Sequence, residues 1–129
     1  MNQNPVKSIG GEVMRQLTFE IVSHQVFENK DLKLINQLSK TTGLDGRLMQ
    51  KNERLVISSN STDLKLCENL FNFCQALSEI LPKKFFLIAY KDPRRLFEIG
   101  NWQGGRNTWG DTNGRAIKQR LVAQELIDS

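Results

Sequence analysis

The amino-acid sequence predicts an α+β fold: a small antiparallel sheet of two hairpins packed with a central helix and flanking helices. Three observations predict it. Residues 62–81, TDLKLCENLFNFCQALSEIL, keep helical time over a longer span than any other segment, with Cys67, Leu70, Cys74, Leu77 and Leu81 recurring at alternating steps of three and four. Two β-prone runs separated by polar turn residues precede that segment, and a dense apolar run followed by a turn and an alternating run comes after it. A chain of 129 residues also fits one domain, residues 1–129, with 39% apolar and 25% charged residues, both ordinary for a soluble globular protein.

The elements follow in order. Residues 1–9 carry Asn, Gln and Pro5 with little to pack and are expected to fray. The next run, EVMRQLTFEIVSHQVF, is ambiguous. Val13, Leu17 and Ile21 have helical spacing, whereas Leu17, Phe19 and Ile21 alternate as in a strand. Its length favours a helix over residues 11–27, because strands are usually shorter. A second helix is expected over residues 32–41, with Asn29 or Asp31 as its cap, Leu32, Ile35 and Leu38 facing inward, and Gly43 closing it. Residues 47–50 and 54–58 flank a Lys-Asn-Glu turn and read as a hairpin.

Ser61 or Thr62 is the expected cap of the central helix, and Pro82 ends it. Residues 85–90, FFLIAY, form the best strand of the chain. It is apolar on both alternating faces and so calls for cover on both sides, which points to self-association as a homodimer. Residues 91–94 turn, and residues 95–99 return as the partner strand. A looser segment of residues 100–114 leads into a last helix over residues 113–127, with Ile117, Leu121, Val122 and Leu126 inward and the Asp111-Thr112-Asn113 cluster as caps.

Residues 34–77, a helix, LMQKNERLVISS and the central helix, resemble the roadblock or dynein-light-chain pattern. In that family a helix, a hairpin and a long helix form a dimerisation platform. The resemblance covers about a third of the chain and implies dimerisation through the sheet or the central helix; the segment after Tyr90 has no counterpart in it.

Composition narrows the function classes. No apolar run approaches the roughly 18 residues of a membrane span, and Lys7 interrupts the N-terminus before any signal-peptide core forms. A cytoplasmic protein is expected. Cys67 and Cys74 lie seven residues apart on one helical face. At about 1.5 Å rise per residue their Cα atoms would be about 10.5 Å apart, too far for a disulfide. Their spacing is not that of a zinc module either, so they read as reduced core thiols, with no metal and no cofactor expected.

His24, the only histidine, and the scattered Asp45, Glu53, Asp63 and Asp92 show no spacing suited to acid–base catalysis. No serine or cysteine sits in an activated-nucleophile motif. The chain is accordingly read as a binding protein and not an enzyme.

Charge is asymmetric. Residues 83–120 hold nine Lys or Arg against Asp92, Glu98 and Asp111, a local charge of +6, while the rest of the chain is −2. Such asymmetry points to a polyanionic partner. Within this stretch, residues 100–120, GNWQGGRNTWGDTNGRAIKQR, hold five of the nine glycines and both tryptophans.

Glycine admits a ligand close to backbone, tryptophan offers a stacking face and arginine a phosphate-matching fork, which reads residues 100–114 as a binding loop; the other reading is a long turn whose tryptophans fold back to close the core. Neither a dinucleotide nor a P-loop fingerprint is present. The expected function is therefore a small basic nucleic-acid-binding accessory or regulatory protein. Arg94, Arg95, Arg106, Arg115, Lys118 and Arg120 would meet phosphate, and Trp102 and Trp109 would stack. The alternative is a protein-interaction adaptor that dimerises through its sheet or central helix. One observation separates the two: a continuous basic face favours nucleic acid, and scattered cations with an exposed apolar patch favour a protein partner.

Overall fold

A computed structural model describes residues 16–24, 27–44, 48–51, 54–59 and 62–128. The expected fraying of residues 1–9 lies outside the described residues.

Among the described residues six strands and three helices follow one another as β1 (Leu17–Ser23), α1 (Asn29–Thr41), β2 (Met49–Lys51), β3 (Arg54–Ser59), α2 (Leu64–Ile80), β4 (Lys84–Tyr90), β5 (Phe97–Gln103), β6 (Arg106–Asn107) and α3 (Arg115–Ala123). The strands form one antiparallel sheet in the order β2-β3-β1-β4-β5-β6. The α+β class is as the sequence predicts.

The largest correction is at the first element. The helix expected over residues 11–27 is a strand where it is described, and residues 11–15 and 25–26 lie outside the described residues. Leu17, Phe19 and Ile21 are buried and alternate with less buried neighbours, so the period of two is the true one. β1 lies between β3 and β4, with Phe19 opposite Ile57 on one side and Ala89 on the other. Without it the two hairpins could not join into one sheet.

The central helix α2 forms as expected, but Asp63 caps it: its Oδ1 accepts from the Leu66 amide at 2.8 Å. Helix α1 begins three residues earlier than expected, through a reciprocal capping box between Glu28 and Asp31, with the Glu28 amide donating to Asp31 Oδ2 at 3.1 Å. It ends in a Schellman closure, with Gly43 at φ +79° and the Leu44 amide on the Ser39 carbonyl. Helix α3 is shorter than expected. Glu125 takes the left-handed conformation at φ 59°, and the Leu126 amide reaches the Leu121 carbonyl, the same closure without a glycine.

Strand β5 runs to Gln103, beyond the expected residue 99, while Arg95 remains in the turn with its amide on the Asp92 carbonyl.

One continuous core joins the sheet to the helices. Phe19, Ile21, Leu55, Ile57, Phe85, Leu87 and Ile99 meet Leu70, Phe73, Cys74 and Leu77 of α2 and Ile117 and Leu121 of α3. Cys67 and Cys74 are free buried thiols. The described helices all pack on this face, and among the described residues none lies over the other. Among the described residues no helix is long and apolar enough to cross a membrane.

Candidate functional site

The glycine- and tryptophan-rich segment is a packed piece of structure. Trp102 on β5 is 0% exposed, so its expected role as a stacking face is corrected to that of a core side chain. Its indole meets the Phe71 ring edge to face at 5.5 Å and lies back over Gly100, where a Cβ would strike its outer ring atoms.

The two-residue turn between β5 and β6 uses Gly104 and Gly105 at φ +62° and +81°, the geometry that matches strand twist. Gly114 lets the start of α3 touch α2, since a Cβ there would collide with the Cys67 carbonyl. Its amide donates to Glu68 Oε2 at 3.0 Å. Of the expected Asp111-Thr112-Asn113 cluster, Asn113 meets the start of α3: its Oδ1 accepts from the Arg115 amide at 3.0 Å, across Gly114, whose backbone is already helical.

The cations are dispersed. Arg94 forks onto Asp92 within the β4–β5 turn, at 3.1 Å from Nε to Oδ1, and its pKa is raised by that hydrogen bond. Arg95 lies over the Phe97 ring at 5.5 Å in the same turn. Arg120 makes a two-pronged pair with Asp111, which raises its pKa, and stacks on Trp109 at 4.7 Å. Trp109 is 42% exposed, yet Arg120 covers one of its faces. Asn107 Oδ1 accepts from the amides of Trp109 and Asp111, fixing the loop that holds both.

Arg115 is exposed on α3, and Lys118 is half-buried near Cys67. Arg106 stands apart on the edge strand β6, opposite Gln103. The β4–β5 turn and the β5–β6 turn lie at opposite ends of strands about 20 Å long. The eight expected site residues therefore form no single patch: Arg94 and Arg95 sit at one end of the sheet, Arg106 at the other, and Arg115, Lys118 and Arg120 on the helical layer.

The sheet brings together a different set. Register places Thr18, Glu20 and Val22 of β1, Arg54 and Val56 of β3 and Phe86, Ile88 and Tyr90 of β4 on the face away from the helices. Lys84, Gln103 and Arg106 continue the same face across β4, β5 and β6. Lys51 joins it opposite Arg54. The Phe86, Ile88, Val22, Val56 and Tyr90 side chains are half-buried, whereas Lys51, Arg54, Lys84 and Arg106 are exposed. Apolar and aromatic surface thus occupies the middle and cations the margin.

Lys84 Nζ sits 5.4 Å from the Phe86 ring centre, and His24 meets the same ring edge to face at 5.2 Å. Glu20 accepts from Tyr90 Oη and from Arg54 Nη1, the latter at 3.0 Å, tying three strands together. Burial, reinforced by Glu20, pushes the Tyr90 phenol up to about 12. It stays neutral, an aromatic ring without a charge to repel an anion. Thr18, Glu20, Lys51, Arg54, Val56 and Tyr90 line a hollow of about 470 Å³ on this face.

The sequence offered one signal for this surface, the two-faced apolarity of FFLIAY, but not which strands would flank it. Pairing β1 between β3 and β4 is what lines up Glu20, Arg54 and Tyr90.

The thiols offer no nucleophile. Burial pushes Cys67 up to about 11, against the opposing pull of Lys118, and raises Cys74 as well. No group of three His, Cys, Asp or Glu that could hold a metal ion occurs among the described residues. Comparison with protein families, with curated proteins and with solved structures finds no match for this chain.

Proposed function

We propose that the chain is a small non-enzymatic module that binds single-stranded nucleic acid on the open face of its sheet. One observation carries the reading: Phe86 and Tyr90 stand on that face in one strand, within a margin formed by Lys51, Arg54, Lys84 and Arg106. Residues four apart on a strand are about 13 Å apart, so the two rings can meet two different bases of an extended strand. The marginal cations reach the backbone phosphates. A duplex hides its base faces and would lose the stacking contribution. Of the eight residues expected from the sequence, Arg106 belongs to this surface; Trp102 is replaced as a platform by Phe86 and Tyr90.

The test is titration of labelled ten-nucleotide single strands and matched duplexes at two salt concentrations. Single strands should bind more tightly than duplex. With four cations engaged, log K should fall against log salt with a slope of about −3 for single strands. Phe86→Ala should cost about 1–3 kcal/mol of binding. Arg106→Ala should flatten the slope by about 0.7. Equal binding of duplex and single strand, or no binding at low salt, would rule the reading out.

A second reading, self-association through the same face, is favoured by the half-buried patch of Val22, Val56, Phe86 and Ile88. Sedimentation separates the two. A dimer that Phe86→Lys dissociates, with no nucleic-acid binding by either protein, would put the adaptor reading first.

A further inference from the structure

The open face ends in a row of polar side chains beside Phe86, the ring proposed to stack a base. Lys84 stands opposite Gln103, and Gln103 opposite Arg106, so three strands contribute to the row. Neighbouring strands about 4.8 Å apart put Lys84 and Arg106 about 10 Å apart across the sheet. His24 extends the row just past the end of β1, one residue beyond the pair of Ser23 with Phe85. All four are exposed. Two contacts hold His24 at the platform: its ring meets Phe86 edge to face at 5.2 Å, and Lys84 Nζ lies 5.4 Å from the centre of that same ring. A base stacked on Phe86 thus has both an imidazole and an ammonium at its margin.

The acids of this face stand elsewhere. Glu20 is four residues back on β1, about 13 Å from His24, and already accepts from Tyr90 Oη and Arg54 Nη1. A bulge at Ile99 shifts the β4–β5 register, so that Glu98 faces Ile88 and Asn101 faces Phe86. Glu98 therefore lies on the row of Glu20, which also pairs with Ile88, and its Oε1 accepts from Asn101 Nδ2 at 3.1 Å. Among the described residues of this face, the charged groups on the row of His24 are Lys84 of β4 and Arg106 of β6, both cations. A charge gained by the imidazole has no carboxylate there to meet it. The phosphates of a bound strand supply that anion.

We infer that His24 is a proton-gated contact for the strand's phosphate backbone, an inference that rests on the platform reading above. The chain holds a single-stranded nucleic acid more tightly when this imidazole is charged, and binding in turn draws a proton onto it. Histidine is the side chain that ordinarily changes charge between about pH 5 and 8, and His24 is the only one in the chain. Lysine and arginine keep their charge throughout that window, and burial pushes the Cys67 thiol up to about 11, outside it. A pH response of strand binding in this range is therefore assignable to one residue.

The experiment titrates the full chain with labelled ten-nucleotide uridine strands at about pH 8 and about pH 5.5, each over a series of salt concentrations. Uracil neither gains nor loses a proton in that window, so the ligand stays constant. At low salt, affinity should rise about threefold to fivefold at the lower pH, the range of an exposed ion pair. The fall of log K with log salt should steepen by about 0.7, for one further phosphate neutralised. His24→Gln should bind at the lower pH as the unaltered protein does at the higher one. His24→Arg should show the steeper slope at both. Melting temperatures at each pH establish that all three proteins are folded. Strand binding with the same affinity and slope at both pH values would overturn this inference and leave the platform standing. So would a pH response that His24→Gln retains. No binding of any strand at either pH would overturn both.

Discussion

Gly100→Ala tests the packing beneath the site, because two effects of opposite sign act at one atom. Gly100 lies in an extended strand without a positive φ, so alanine is conformationally welcome there and should gain about 0.5–1 kcal/mol from reduced backbone freedom. Its Cβ, however, would lie inside the van der Waals envelope of Trp102 Cη2 and Cζ3. That indole is fully buried and held edge to face against Phe71, with no room to move aside. Overpacking of this kind costs about 1–3 kcal/mol, and ring displacement puts this case at the upper end. The net expectation is a loss of about 2 kcal/mol, or about 8 °C in melting temperature for a chain of this size. Trp102→Leu removes the obstacle. In that background Gly100→Ala should be neutral or slightly stabilising, giving a coupling of about 2–3 kcal/mol in a four-protein cycle. Urea unfolding followed by far-ultraviolet circular dichroism measures it without relying on the tryptophan being changed. Additive losses would refute the argument that Trp102 is what requires glycine at position 100.

Other expectations follow from the same contacts. Trp102→Ala should destabilise by about 3–5 kcal/mol, as for a buried large side chain, while Trp109→Ala should cost about 1 kcal/mol or less; calorimetry on both separates core from surface. Asp111→Asn should cost about 2 kcal/mol, because it leaves Arg120 without its carboxylate while burying an amide, and chemical denaturation reads it. Tyr90 holds its proton more tightly folded than unfolded, so its contribution to stability is complete below pH 10 and is lost as pH rises through about 12; Tyr90→Phe should flatten the stability-versus-pH curve in that window. Cys67 acts in the same sense between pH 9 and about 11, and Cys67→Ala together with Cys74→Ala should lower stability modestly, leave strand binding intact and carry no zinc.

The physics of short range was legible in the amino-acid order. Leu66, Leu70, Phe73, Cys74 and Leu77 state a helix by period alone, and α2 is that helix with its boundaries moved by two residues or fewer. The β2–β3 hairpin, strand β4, the Gly43 closure and the burial of both thiols follow from local patterns of the same kind. Those patterns give a residue's periodicity, not the layer that will receive it.

Tertiary structure decided the rest. Residues 17–21 satisfy both periods, and only the gap between β3 and β4 selects the strand. Trp102 and Trp109 look alike in sequence, but one falls on the helix-covered face of β5 and the other on a loop beyond β6. The basic stretch of residues 83–120 is continuous in sequence and divided in space, because three strands and a helix carry its members to opposite ends and layers. Conversely, Glu20, Arg54 and Tyr90 are far apart in the chain and share two hydrogen bonds only because antiparallel pairing puts their strands side by side. One bulge at Ile99 turns Glu98 and Asn101 to the same side. Which face a side chain occupies depends on the pairing partners of its strand, and those are chosen by contacts between residues distant in sequence.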